Sequence, residues 1–428
     1  MEQLGPLAKM SATPAVISRA APLPGQHTKE VLDQLPLAAP MIRPSGGHPR
    51  HPLEGVTMIE AASWLAAPFA GALLADLGAR VIKVEEAGEG DESRFWGPPF
   101  VGGDSAYYLS LNRNKESIVL DLKHETGRAA LKKLACAADV VIQNFRPGVV
   151  ERLGIDYETL RENNPRLIYA SISGFGLDGP DRARPGYDLI VQAMSGVMQA
   201  NGGLENGPVK TCFPIADILA GQFACQAILA ALIESQTTGK GNHVEVSLLE
   251  SLLASMVNLT SAVLMTDGKQ RPVGPQHSTV VPYQVLRCRD ASIAVACSNN
   301  RIWKRFCVAL GQPQWQEQFA LNENRYENRD ELIAAIERVL AQKDSAEWLQ
   351  ILDRHQVPSG PLLSVAEIFN HPQVRERGSV ATVEHPQHGT LNMMASPMRF
   401  QGRSGVYKPA PRLGEHTEAI VEEFCLPR

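Results

Sequence analysis

Leu74-Ala-Asp-Leu-Gly-Ala-Arg-Val-Ile-Lys-Val-Glu85 decides the fold of this chain. An apolar run from Ala66 to Ala75 leads into it, Gly78 interrupts it, and Val81-Ile-Lys-Val84 follows. Apolarity on nearly every face predicts a buried helix, and a glycine just past the end tolerates the left-handed turn that closes one. The Val and Ile residues after that turn predict a strand. With the strand-like Gly55-Val-Thr-Met-Ile-Glu60 in front, the order is strand, helix, strand, the repeating unit of a parallel sheet covered by helices.

Outward from this unit the alternation continues through Ser117 to Leu122, Gly127 to Ala135, Asp139 to Gln143, Tyr157 to Asn163 and Leu167 to Ser173. Two long helical stretches, Leu219 to Glu234 and Leu248 to Met265, then separate it from a smaller set of elements. That set holds strands at Tyr283 to Arg287 and Ile293 to Cys297, with amphipathic helices at Ile302 to Leu310, Asp330 to Leu340 and Glu347 to Arg354. Thr390 to Met394 and Arg399 to Gln401 read as strands again, and Thr417 to Glu423 as a terminal helix.

Composition excludes several classes. With 428 residues the chain has room for two or three folding units, and 44% apolar against 20% charged residues at a net charge of -5 is an ordinary globular balance. There is no basic footprint for nucleic acid. The stretch Ile215 to Leu232 is interrupted by Asp217, Gly221, Gln222 and Gln226, so no membrane partner is expected. Seven scattered cysteines without a Cys-x-x-Cys pair fit a reducing cytoplasm, and prolines 6, 14, 22 and 24 break any signal-like segment. Ala21-Pro-Leu-Pro-Gly-Gln-His-Thr28 echoes Ala410-Pro-Arg-Leu-Gly-Glu-His-Thr417, and Gly5-Pro-Leu-Ala-Lys-Met10 echoes Gly389-Thr-Leu-Asn-Met-Met394. Residues 1–51 therefore read as the tail of an upstream copy of the same domain.

Most chemical motifs fall away on context. Gly174-Phe-Gly-Leu-Asp-Gly179 has the spacing of a dinucleotide fingerprint, but Pro180 and Pro185 make the segment after it a loop, not a helix whose start could hold a pyrophosphate. Thr238-Gly-Lys-Gly241 lacks the upstream glycine of a phosphate loop and reads as a turn. No histidine or cysteine spacing calls for a metal, and no Gly-x-Ser-x-Gly elbow is present. What remains is Asp217 in Phe213-Pro-Ile-Ala-Asp-Ile-Leu-Ala-Gly221, just ahead of a long apolar helix and without an obvious counter-charge. It fits a helix N-cap, and the free amides of a helix start would equally polarise a reactive carboxylate, so both readings stay open.

Many ordered segments resemble the class III CoA-transferases, the family of formyl-CoA:oxalate, carnitine and succinyl-CoA:glutarate CoA-transferases and the related 2-methylacyl-CoA racemases. The carriers run from about residue 52: Leu74 to Glu85, Gly90-Asp-Glu-Ser-Arg94, Asn112-Arg-Asn-Lys-Glu-Ser-Ile118, Asn144-Phe-Arg-Pro-Gly148 with Arg152-Leu-Gly154, and Asn164-Pro-Arg-Leu-Ile168. Gly174-Phe-Gly176, Pro185-Gly-Tyr-Asp188, the Asp217 segment, Thr238-Gly-Lys-Gly241, Val357-Pro-Ser-Gly-Pro361 and Leu413-Gly-Glu-His-Thr417 complete them.

The resemblance implies that Asp217 takes the acyl group from a thioester as a mixed anhydride and then carries CoA as an aspartyl thioester. It implies coenzyme contacts at Leu120, Lys123, Asn144, Phe145, Val149, Arg152 and Tyr187, and an acyl pocket at Leu65, Trp96 and Tyr107. The lid segment Gly274-Pro-Gln-His-Ser278, with Gln276, His277 and Ser278, resembles the succinyl-CoA:glutarate type. Leu65 stands where the oxalate enzymes of that family carry a glutamine, which speaks against oxalate, while the lid resemblance implies a dicarboxylate acceptor. Gly186-Tyr-Asp188 stands where a racemase would have Gly-His-Asp, and a tyrosine with its usual pKa near 10 is a poor base at neutral pH.

The expectation is thus an α/β protein. A large Rossmann-like parallel-sheet domain, 52–245 with 375–428, binds the coenzyme, 246–280 forms a helical linker and lid, and 281–374 a smaller inserted α+β domain. The resemblance further implies an interlocked homodimer, with a CoA thioester and a small carboxylic acid as substrates and neither a permanently bound cofactor nor a metal. Three other readings stay open: the transferase/lyase half of a tandem protein acting on dimethylsulfoniopropionate, a 2-methylacyl-CoA racemase, and a non-catalytic CoA-binding subunit.

Overall fold

The computed structural model describes residues 9–13, 51–266, 274–401, 405 and 407–427. Most of the predicted upstream tail, residues 1–8 and 14–50, lies outside the described residues. Backbone contacts divide the chain into two compact units, the first of residues 1–194, 213–257 and 378–428, the second of residues 195–212 and 258–377.

The first unit is built on seven strands: β1 Lys9–Met10, β2 Thr57–Ala61, β3 Arg80–Glu85, β4 Lys115–Val119, β5 Val140–Gln143, β6 Ile168–Ser173 and β7 Asn242–Ser247. Their order across the sheet is β1-β7-β6-β5-β2-β3-β4. Every neighbouring pair from β7 to β4 is parallel, and β1 alone runs antiparallel, along the β7 edge. The mixed α/β expectation is met, and the reason lies in the strands themselves: Ile59, Ile82, Ile118, Val141 and Tyr169 are buried together with Leu131 and Leu134. A sheet covered on both faces needs this continuous apolarity.

Helix α1, Ala66–Asp76, runs from the β2 end and stops at Gly78, whose φ of +99° is the left-handed turn that its lack of a side chain allows. Helix α2, Ile215–Thr238, is longer than the Leu219 to Glu234 read from the sequence. By length and apolarity it could cross a membrane, yet its small residues Ala216, Ala220, Gly221 and Ala224 are buried. A Cβ added at Gly221 would lie 2.5 Å from the Ala66 carbonyl oxygen, so α2 is packed directly on α1. Its composition is that of a core helix.

Two local expectations were wrong. The single helix expected over Leu248 to Met265 is two helices, Leu248–Ser255 and Val257–Met265, bent by 84° at Met256. Ser251 and Ser255 donate their hydroxyls back to the carbonyls of Ser247 and Ser251 at 2.6 and 2.8 Å, a pattern that bends helices. Among the described residues Arg399 to Gln401 is not a strand; Val380–His385 and Gly389–Met394 pair as a two-stranded hairpin.

The second unit carries a three-stranded antiparallel sheet, Tyr283–Arg287, Ser292–Ala296 and Ser359–Pro361. Trp303, Phe306, Leu332, Ile336, Trp348 and Leu352 fill its core. Arg325 is fully buried among them and donates to the carbonyls of Val281 and Phe319 and to Asn300 Oδ1, each at 2.8 Å.

Candidate active site

Loops after the parallel strands of the first unit meet at one end of the sheet. Such strand ends are where open α/β folds place their ligands. The loop after β5 gives Asn144, whose amide clasps the loop after β2: Nδ2 donates to the Ser63 carbonyl at 2.7 Å and Oδ1 accepts from the Ser63 amide at 3.2 Å. Phe145 follows, its amide donating to Gln143 Oε1 at 2.7 Å. Gly148 then turns with φ +85° to start the short helix Val149–Leu153.

The loop after β6 contains the glycine pattern already set aside as a dinucleotide site. Its glycines serve a crossing. A Cβ built on Gly174 would lie 2.4 Å from the Gly186 Cα, so two backbone stretches touch where no side chain fits. That contact sets the position of Tyr187 and Asp188. Tyr187 leans on Trp64, the ring centroids 5.6 Å apart.

These loops enclose a cleft of about 280 Å³. Ala62, Ser63, Trp64, Asn144, Phe145 and Val149 line one part, and Gly186 and Tyr187 another; Arg146, Arg182 and Arg184 add positive charge. Four expected coenzyme contacts, Asn144, Phe145, Val149 and Tyr187, are therefore brought together. Three are not. Arg152 is exposed on its helix, and Lys123 is exposed and ion-paired with Glu86, which raises the ammonium pKa. Leu120 is buried in the sheet core and borders a separate groove of about 680 Å³ with Asp121, His124 and the terminal helix Thr417–Glu423.

Asp188 reaches beyond the cleft wall to the start of α2. Its Oδ1 accepts the Ala216 amide at 2.9 Å, and its Oδ2 accepts from Gln192 Nε2 at 2.7 Å. Of the two readings left open for Asp217, the cap is supplied instead by Asp188, 28 residues upstream of the amide it accepts. Asp217 itself sits in the first turn of α2, part-buried, and no counter-charge among the described residues acts on it. Burial first, and the Asp188 charge second, push its carboxyl up to about 7. Tyr107 is close enough that burial and then the Asp217 charge raise its phenol well above the ordinary range. Trp96 meets Tyr107 edge-on at 5.5 Å, so the expected acyl-pocket pair does form a contact. Leu65 is buried at the start of α1 and does not line the cleft, where its neighbour Trp64 does.

Beneath Trp64 lies a buried ionic cluster that the sequence reading missed. Lys83 Nζ contacts Glu60 at 3.0 Å, Asp91 at 2.7 Å and the Ala62 carbonyl at 2.8 Å. Lys115 Nζ contacts the other Glu60 oxygen at 2.8 Å and the Pro68 carbonyl at 2.8 Å. Asp91 accepts the Trp64 amide at 3.3 Å and so holds Trp64 at φ +71°, a conformation costly for a bulky residue. Next to it Glu85 binds Arg94 through both oxygens at 2.9 and 2.7 Å. The signal was available: Lys83 and Glu85 lie inside an otherwise apolar strand, and a buried charge requires a partner.

Gln276, His277 and Ser278 belong to the second unit. His277 Nδ1 accepts the amides of Thr279 and Val280, each at 3.1 Å, which fixes its own proton on Nε2. Ser278 accepts from Asn258 Nδ2 at 3.1 Å. Gln276 and His277 border a shallow recess of about 610 Å³ with Tyr283 and Gly360.

Known proteins resemble this chain over most of its length. Residues 53–417 match the family described as CoA-transferase family III. The chain belongs to that family. Among its curated relatives, the human succinyl-CoA:glutarate CoA-transferase is 37% identical, over 87% of this chain and 86% of its own length. The acetyl-CoA:oxalate CoA-transferase of Acetobacter aceti is 38% identical, over 89% of this chain and 97% of its own. A CaiB/BaiF family protein of Brucella suis has a similar solved structure, with a TM-score of 0.76 at 37% identity, over 87% of this chain and 99% of that one. This family III CoA-transferase is therefore an enzyme of acyl-CoA chemistry.

Proposed function

We propose that this CoA-transferase moves CoA from an acyl-CoA, with succinyl-CoA the favoured donor, to a dicarboxylic acid through covalent intermediates on Asp217. The observation that carries the reading is the Asp217 carboxyl in the first turn of α2, uncompensated among the described residues and pushed up to about 7. A carboxylate with raised proton affinity is a better nucleophile than an ordinary one, and near neutral pH much of it is ionised.

Ionised Asp217 attacks the thioester carbonyl carbon; the carbon–sulfur bond breaks and CoA leaves as thiolate, with a mixed anhydride on the enzyme. The thiolate attacks the Asp217 carbonyl carbon and the donor acid departs as carboxylate. The acceptor carboxylate then attacks the aspartyl thioester, forms a second anhydride and releases the thiolate. Attack of that thiolate on the acceptor carbonyl gives the new thioester and restores Asp217. Dividing the exchange this way replaces one hard displacement by four easier ones. The cleft supports the role of coenzyme holder, with arginines for phosphates and Trp64, Phe145 and Tyr187 for the apolar arm.

The relatives' names support a dicarboxylate acceptor, since glutarate and oxalate are both dicarboxylates. A homodimer in a reducing compartment fits two further features: all seven cysteines are free, and the apolar helix Val257–Met265 has no buried residue. The decisive experiment incubates the enzyme with succinyl-CoA or acetyl-CoA and a panel of acids, with new thioesters followed by mass spectrometry. Asp217→Asn should lose transfer and the aspartyl-CoA adduct while keeping CoA binding. An asparagine variant that transfers at the parent rate would end this mechanism.

A further inference from the structure

Strand β1 lies upstream of residue 53, where the family match begins, and still belongs to the main sheet. Lys9 pairs in register with Glu245 and Met10 with Val244. The segment is held by more than the ladder. Ser11 donates its amide to the His243 carbonyl at 3.1 Å and accepts the His243 amide on Oγ at 3.3 Å. The buried Asn242 accepts from Ser11 Oγ and from the Ala12 amide, each at 3.1 Å, and Thr13 Oγ1 donates to Glu234 at 2.9 Å.

Two of the residues that this strand grips, Glu245 and His243, lead to the cleft. Glu245, the register partner of Lys9, accepts the Leu177 amide at 2.6 Å, and Lys9 Nζ reaches the next residue, Asp178, at 3.7 Å. Leu177 and Asp178 sit in the loop that runs on to Arg182, Arg184 and Tyr187 of the cleft wall. On the other side, His243 Nε2 meets Ser171 Oγ at 2.9 Å, Gln143 Nε2 donates to that hydroxyl at 2.8 Å, and Gln143 Oε1 accepts the Phe145 amide. Strand, loop and cleft floor are thus joined by two hydrogen-bonded chains.

We propose that the β7 edge is a peptide-binding site whose ligand is the chain's own Lys9–Thr13 segment, and that its occupancy sets the cleft for the CoA thioester. The edge takes an extended peptide by strand addition. Its chemistry is specific: a cation opposite Asp178, then a hydroxyl on Asn242 and a second on Glu234. The effect on the thioester rests on the cleft assignment made above; occupancy of the edge does not.

The test uses the full chain, its Lys9→Glu and Ser11→Pro variants, and a synthetic peptide of residues 5–16. Proline at residue 11 removes both the amide and the hydroxyl donors. Hydrogen exchange of residues 242–247 should rise in Ser11→Pro and fall again when the peptide is added. KM for the acyl-CoA should rise about three- to tenfold in both variants with kcat within about twofold, and the peptide should restore KM in Ser11→Pro. A fold that is merely weakened would lower Tm without this KM shift and without rescue. Unchanged exchange at 242–247 in Ser11→Pro overturns the edge site. Normal KM in both variants, with exchange raised, overturns the coupling. If Ser11→Pro does not fold, Lys9→Glu, an exposed change, is judged on exchange and KM alone. Failure of the parent enzyme to bind CoA would sink the cleft assignment instead and leave the exchange result standing.

Discussion

Asp188 and Asp217 are two carboxylates at one helix end with opposite surroundings. Asp188 is buried and satisfied by the Ala216 amide and Gln192, whereas Asp217 has burial and a like charge against it. Transfer should need Asp217 ionised, so kcat/KM should fall as pH drops through about 7. Asp188→Asn keeps an oxygen for the cap and removes the repelling charge; a pH–rate profile should show the acid limb moved to lower pH. Stability runs the opposite way. Because folding raises the proton affinity of Asp217, its contribution is intact below the ordinary carboxylate range and is lost as pH rises through about 7. Asp217→Asn should therefore gain about 1–2 kcal/mol over the parent at pH 8 and little at pH 4, measured by urea melts, the figure being discounted for partial exposure. Sequence made Asp217 visible as an acid at a helix start. It could not show which residue caps that helix, because capping rules are local and Asp188 comes from another element.

At the scale of elements, glycines mark where backbones must touch. Gly174→Ala should drive its Cβ into Gly186, cost about 2 kcal/mol or more in a thermal melt and raise KM for the acyl-CoA by displacing Tyr187. Gly71→Ala should be as costly: the new Cβ would lie 2.1 Å from Glu60 Oε2, an oxygen that Lys115 holds in place. The parallel strands were legible because burial on both faces writes itself as runs such as Val81 to Val84. The bend at Met256 was less so, since Leu248 to Met265 stays apolar across it and only the serine back-bonds break it. Gly174 to Gly179 shows the converse: the spacing was legible, but a sequence does not say whether a glycine clears space for a phosphate or for another stretch of chain.

At the scale of the whole molecule, the homodimer proposed above would cover the apolar helix Val257–Met265. Val263 is 52% exposed, and Val263→Glu should shift the enzyme from dimer towards monomer in sedimentation velocity, with the fold of each chain intact by circular dichroism. The buried cluster has a different reach. Lys83→Met would leave Glu60 and Asp91 short of a cation in a dry interior, a loss of about 3–5 kcal/mol. Intact, two lysines face two carboxylates and their charges cancel. To an approaching polyanion such as CoA the cluster is electrostatically silent. The attracting field at this end of the sheet then comes from Arg146, Arg182 and Arg184 at the mouth of the cleft. On the proposed cleft assignment, added salt should slow the encounter with CoA by screening those arginines and leave the posture of Trp64 untouched.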